Sequence, residues 1–73
     1  MTPEEIYKKA KIFNVGARVF ILETVVEYLG RKTIRKPARV IERYPYHLVV
    51  ETKNGVRESF SYWDALKELE LMK

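Results

Sequence analysis

The chain has 73 residues, 47% of them hydrophobic and 33% charged, with 14 Lys/Arg against 10 Asp/Glu for a formal net charge of +4. That length allows one domain near the lower limit of independent stability, and the composition excludes a disordered tail, which would hold too few apolar residues to offset chain entropy. The absence of cysteine excludes a disulfide framework and thiolate zinc sites, and it fits a reducing cytoplasm. The longest apolar run, Val19 to Leu22, is far short of the roughly 20 residues a membrane span needs. The opening "MTPEEIYKKAKIF" carries acids where a signal peptide would carry bases. A cytoplasmic protein with no membrane partner is expected.

The first residues predict a helix over 1–15. Thr2 can cap it, Pro3 suits the first helical position, and Glu5 stands where a capping box wants a carboxylate. Ile6, Ala10 and Phe13 then fall on one side at helical spacing, with Tyr7 beside them and Glu4, Lys8 and Lys11 facing away. "NVG" ends it, because Gly16 can take a positive φ that other residues avoid.

"ARVFILETVVEYLG" is rich in β-branched and aromatic residues and predicts a long strand ending at Gly30. Both of its parities carry apolar residues, as in a bent strand of a small barrel. "RKTIRK" continues extended to Pro37, which lacks a ladder donor and marks a bulge or an edge, and "ARVIERY" resumes the strand. Pro45 and Tyr46 make a turn, "HLVVET" is a short strand, and the Asn-Gly of "KNGV" predicts a type I′ hairpin returning through "VRESFSY". Ser61 and Asp64 then form a capping pair for a short helix over 62–71, with Leu66, Leu69 and Met72 inward. Successive short strands without crossover helices predict a mainly β chain: a single domain over 1–73 whose strands, within 16–62, build a small SH3-like antiparallel barrel with a helix at each end.

From Gly30 onward the chain resembles the Veg family of small Gram-positive bacterial proteins. The likeness runs through "GRKTI", then Tyr44-Pro45, then "RESFSYWDAL" from Arg57 to Leu66, and covers Gly30 to about Leu71. The first half shares only a short helical lead before a strand. The resemblance implies a cytoplasmic SH3-like barrel that forms a homodimer, in a family linked to biofilm formation through control of matrix-gene transcription. It supplies no catalytic residues.

Charge is not spread evenly. Residues 31–43 carry six Lys/Arg and one acid, whereas residues 1–30 are balanced and 44–73 sum to −1. Arg31, Lys32, Arg35, Lys36, Arg39 and Arg43 are therefore the candidate phosphate-binding residues. Arg31, Arg35, Arg39 and Arg43 share one parity, which a continuous strand would turn to one face. The plainer account is a solvated, edge-guarding face. Tyr44 and Tyr46 flank Pro45 and are candidates for stacking on nucleic-acid bases, the alternative being packing against the barrel end.

Trp63, with Tyr62 and Phe60 nearby, has two readings: a plug for the barrel end, or part of an aromatic groove for a proline-rich peptide. His47, the only histidine, reads as structural, and Asp64 as a cap. With no second histidine, no phosphate-cradling loop and no clustered carboxylates, the chain reads as a non-enzymatic protein with no cofactor, no metal site and no catalytic residue. Two functions are expected: a regulatory module that binds DNA or RNA through the basic strand, or a protein-interaction module that dimerises, through "HLVVET" as an exposed edge, and contacts a transcriptional regulator protein.

Overall fold

A computed structural model describes residues 2–72. The elements run in the order α1 (Pro3–Lys9), a 3-10 turn (Ala10–Ile12), β1 (Arg18–Glu27), β2 (Gly30–Arg43), β3 (His47–Thr52), β4 (Arg57–Ser61), α2 (Tyr62–Glu68) and β5 (Leu69–Leu71). The chain is mainly β. One five-stranded antiparallel sheet has the order β4-β3-β2-β1-β5, and it is open, with β4 and β5 as its edges. Because β3 is hydrogen-bonded on both sides, "HLVVET" is an interior strand and not the exposed edge expected for self-association.

Both helix starts are capped as their sequences direct. The Thr2 hydroxyl accepts from the Glu5 backbone N–H at 3.2 Å, and the Ser61 hydroxyl accepts from that of Asp64 at 3.1 Å. The first helix is shorter than its periodicity suggests. It tightens into the 3-10 turn at Ala10, and this carries Phe13 into the core.

The second helix also stops early. Leu69 is extended, at φ −113° and ψ 139°, and Leu69–Leu71 pairs with Val19–Ile21 of β1. Leucines at helical spacing would have continued α2. What overrides them is the open side of β1, whose backbone groups gain partners when the chain extends. Met72 completes the pairing by donating its N–H to the Arg18 carbonyl at 2.9 Å.

β1 and β2 join at Tyr28-Leu29, with Glu27 opposite Gly30 at φ 144°. Residues Leu22–Pro37 of this hairpin lie beyond the pairing of β3 and β5, so they project as a two-stranded ribbon. Pro37 lies where β2 has a neighbour on one side only, since β3 begins its pairing at Ala38; a proline is tolerated there. The β3–β4 connection is not a type I′ hairpin. It spans four residues, and Asn54 keeps a negative φ, so only Gly55, at φ 81°, takes the left-handed region. The Thr52 hydroxyl accepts from the Val56 N–H at 3.2 Å, an arrangement that suits the longer turn.

Ala10, Phe13, Val19, Ile21, Ala38, Val40, Leu48, Val50, Tyr62, Ala65 and Leu69 form the core. The strand members share one face of the sheet, here called inner, and the α1 and α2 segments cover it. Glu58, opposite Val50 on the inner face of edge strand β4, is the kind of inward charge that discourages further strand pairing.

Candidate nucleic-acid interface

The register of the long hairpin distributes the six basic residues of β2. Arg31 lies opposite Val26, Arg35 opposite Leu22 and Arg39 opposite Arg18. Directly opposed residues share a face, so these three arginines stand on the outer face, about 13 Å apart along the strand. Lys32 and Lys36 point to the inner side, where Lys36 reaches Glu23 at 2.6 Å. This hydrogen bond raises the Lys36 pKa above its ordinary value, with burial opposing it.

Arg43 does not continue the row. The register shifts between Val40 and Glu42, so Ile41 is the extra residue of a bulge. Beyond it Arg43 pairs with core residue Leu48 and turns inward. There its Nη1 donates to the Ala10 carbonyl at 3.4 Å and the Phe13 carbonyl at 3.2 Å, and its guanidinium lies 5.0 Å from the Tyr62 ring centre. The single-face row expected of Arg31, Arg35, Arg39 and Arg43 is thus broken four residues after Pro37, and Arg43 ties the N-terminal segment to the sheet.

On the outer face Arg35 bonds Glu70 of β5 at 3.3 Å. Arg39 has Glu51 as its neighbour on β3, but that carboxylate is engaged by Arg57 of β4 at 3.2 Å. Arg18 and Arg39 therefore face each other with no ion-pair partner among the described residues. Like charges directly opposite one another are destabilising. The pair lines a concavity of about 700 Å³ together with Lys53 and the Arg57-paired Glu51. Arg18 and Lys53 were not among the sequence-predicted site residues. The signal for Arg18 is its pairing distance from the β1–β2 turn, and that turn, Tyr28-Leu29, carries no Asn-Gly or Asp-Gly to betray it.

The two tyrosines part: Tyr44 stays with the outer-face residues Glu42 and His47, beyond the end of the arginine row, and Tyr46 leaves that face. Tyr44 stacks on His47, with centroids 4.8 Å apart and planes at 20°, and its hydroxyl donates to Glu42. That bond raises the Tyr44 pKa, aided by the nearby carboxylate charge. Tyr46 is 85% exposed and turns toward the helical side, where it lines a groove with α1 and Trp63. Of the rings expected to plug the barrel end, Tyr62 is buried and Phe60 packs against the core, whereas Trp63 is exposed.

No family model, no curated protein and no solved structure matches the chain. Among the described residues there is no group of three or more His, Cys, Asp or Glu that could hold a metal ion. No helix among them is long and apolar enough to cross a membrane.

Proposed function

We propose that this is a non-enzymatic, cytoplasmic, Veg-like module that binds the phosphate backbone of nucleic acid through the outer face of its sheet. The binding residues are Arg18, Arg31, Arg35 and Arg39, with Lys53 of the same concavity. One observation carries this reading: Arg18 and Arg39 are held opposite each other, exposed and without an acid between them, an arrangement that favours an anion and opposes folding without one. The fold reading that accompanies it is an SH3-like barrel. The meander of four strands, the helical turn between β4 and β5, and the return of β5 to β1 support it. The biofilm and transcription role implied by the family resemblance belongs to the same proposal, as does a homodimer using the open edge of β5.

Four engaged cations give a log-log salt slope of about −3.6, so affinity falls about 150-fold between 50 and 200 mM salt. Contacts of this kind carry little sequence information. Anisotropy titrations with short single- and double-stranded DNA and RNA over a salt series test the reading. The decisive variant is Arg18→Glu, which sets a carboxylate against Arg39. Its affinity falls while its folding stability rises by a few tenths of a kcal/mol. No binding by the natural chain at low salt, or undiminished binding by Arg18→Glu, refutes the reading.

A further inference from the structure

The helical side of the sheet carries a second surface of different chemistry. A groove of about 520 Å³ runs between α1, the β2–β3 turn and the start of α2. Pro3 and Tyr7 form one wall, Pro45 and Tyr46 the other, and Tyr62 and Trp63 lie between them. Its lining is mostly carbon. Tyr7 and Tyr62 meet edge to face with centroids 5.6 Å apart, so one wall is braced by a ring already fixed in the core. Tyr7, Tyr46 and Trp63 are all substantially exposed, and an exposed aromatic cluster of this kind marks a binding surface.

The polar groups around the groove select its occupant. The Tyr62 hydroxyl is committed to the Tyr44 carbonyl. The hydroxyls of Tyr7 and Tyr46 and the indole N–H of Trp63 have no hydrogen-bond partner among the described residues. Lys8 of α1 and Lys11 of the 3-10 turn are on the lining, with Lys11 Nζ 5.8 Å from the Tyr7 ring centre; the sole acid there is Glu4. The groove therefore offers donors and positive charge around apolar walls. A proline-rich segment presents the complement, since its carbonyls accept, it has no backbone N–H to satisfy, and its rings pack on aromatic faces.

We infer that this groove binds a left-handed polyproline-type segment of a partner protein, with an acidic residue beside the prolines meeting Lys8 and Lys11. The occupant lies on the side of the sheet opposite the arginine row, so the site functions without the nucleic-acid face.

Trp63 is the only tryptophan and reports occupancy directly. The probe is a labelled oligoproline ending in an aspartate pair, titrated into the full chain with Trp63 emission and label anisotropy read together. Saturable binding that shifts Trp63 emission is the expected result. Tyr46→Ala, at an exposed position that leaves the core intact, weakens binding about tenfold or more. Circular dichroism and melting confirm that this variant is folded. A Lys8→Gln, Lys11→Gln variant also binds the probe more weakly, and both variants keep the nucleic-acid salt slope. Three outcomes overturn the inference: no saturable binding of the oligoproline, equal binding of a Gly/Ser peptide with the same aspartates, or preference for an amphipathic helical peptide of equal charge. None of them bears on the arginine face, whose own test is Arg18→Glu.

Discussion

Replacing Arg43 separates structure from binding, because this arginine belongs by sequence to the basic cluster and by geometry to the core. Arg43→Ala removes two charge-assisted hydrogen bonds to carbonyls of the N-terminal segment, at 3.2 and 3.4 Å, and a cation–ring contact with Tyr62 at 5.0 Å. Phe13, whose carbonyl is one of the acceptors, is buried, so the loss leaves an under-satisfied group beside the core. Hydrogen bonds to charged groups contribute about 1.5–3 kcal/mol and a partly desolvated cation–ring contact about 1. Both bonds leave the same nitrogen and the longer is 3.4 Å, so together they count as about one such bond, and with the ring contact the expected destabilisation is about 2.5–4 kcal/mol. For 73 residues the total stability is about 4–11 kcal/mol, so the variant loses a large fraction and melts roughly 10 °C or more lower. Arg43→Lys recovers little, since an ammonium lacks the planar fork and stacks poorly on the ring. Urea unfolding measures the loss, and amide exchange locates it in residues 10–13. At a temperature where the variant is folded, its nucleic-acid affinity equals that of the natural chain. A stability change under about 0.5 kcal/mol, or a binding loss as large as that of Arg39→Ala, refutes this account.

Ser61→Ala removes the cap of α2 and is expected to cost about 1 kcal/mol, read as a lower urea midpoint at unchanged slope. Unchanged stability would show that the packing of Tyr62 and Ala65 alone holds the helix. The Tyr44–Glu42 bond acts in the alkaline range. The Tyr44 pKa in the folded chain lies above that of the unfolded chain, so the stabilisation is fully present below the ordinary tyrosine value of about 10 and is lost as pH rises through the folded value. Spectrophotometric titration should show a late-ionising component from Tyr44, and Glu42→Gln should bring it back toward the ordinary value.

The features legible in the sequence are those set by nearest neighbours. Thr2 and Ser61 cap as their spacing directs, Gly16 takes a positive φ in the turn before β1, and Lys53–Val56 forms the turn of a hairpin. What was not legible depends on residues far apart in the chain. "LEL" has helical periodicity and becomes a strand because the side of β1 is open to it. The bulge at Ile41 reverses Arg43, and only the pairing of β2 with β3 reveals it. Tyr28-Leu29 turns the long hairpin without the usual turn residues, and the register set there brings Arg18 to Arg39 across 21 positions of sequence. The candidate site was therefore half visible. The charge run marks the strand, but the strand's pairing decides which charges act together.

The bulge also explains how a basic strand can serve a sheet with two unlike faces. Without it, odd-numbered Arg43 would stand on the outer face beyond Arg39, and the N-terminal carbonyls would lack their donor. With it, one strand supplies exposed cations up to Arg39 and then, within four residues, an internal brace that holds the α1 segment against Tyr62. That segment is one wall of the aromatic groove. Arg43 thus helps build the groove on the side of the sheet away from the arginine row. Loss of this brace is expected to loosen the Tyr7 wall before it disturbs Arg18 and Arg39, whose positions are fixed by ladder hydrogen bonds between β1 and β2.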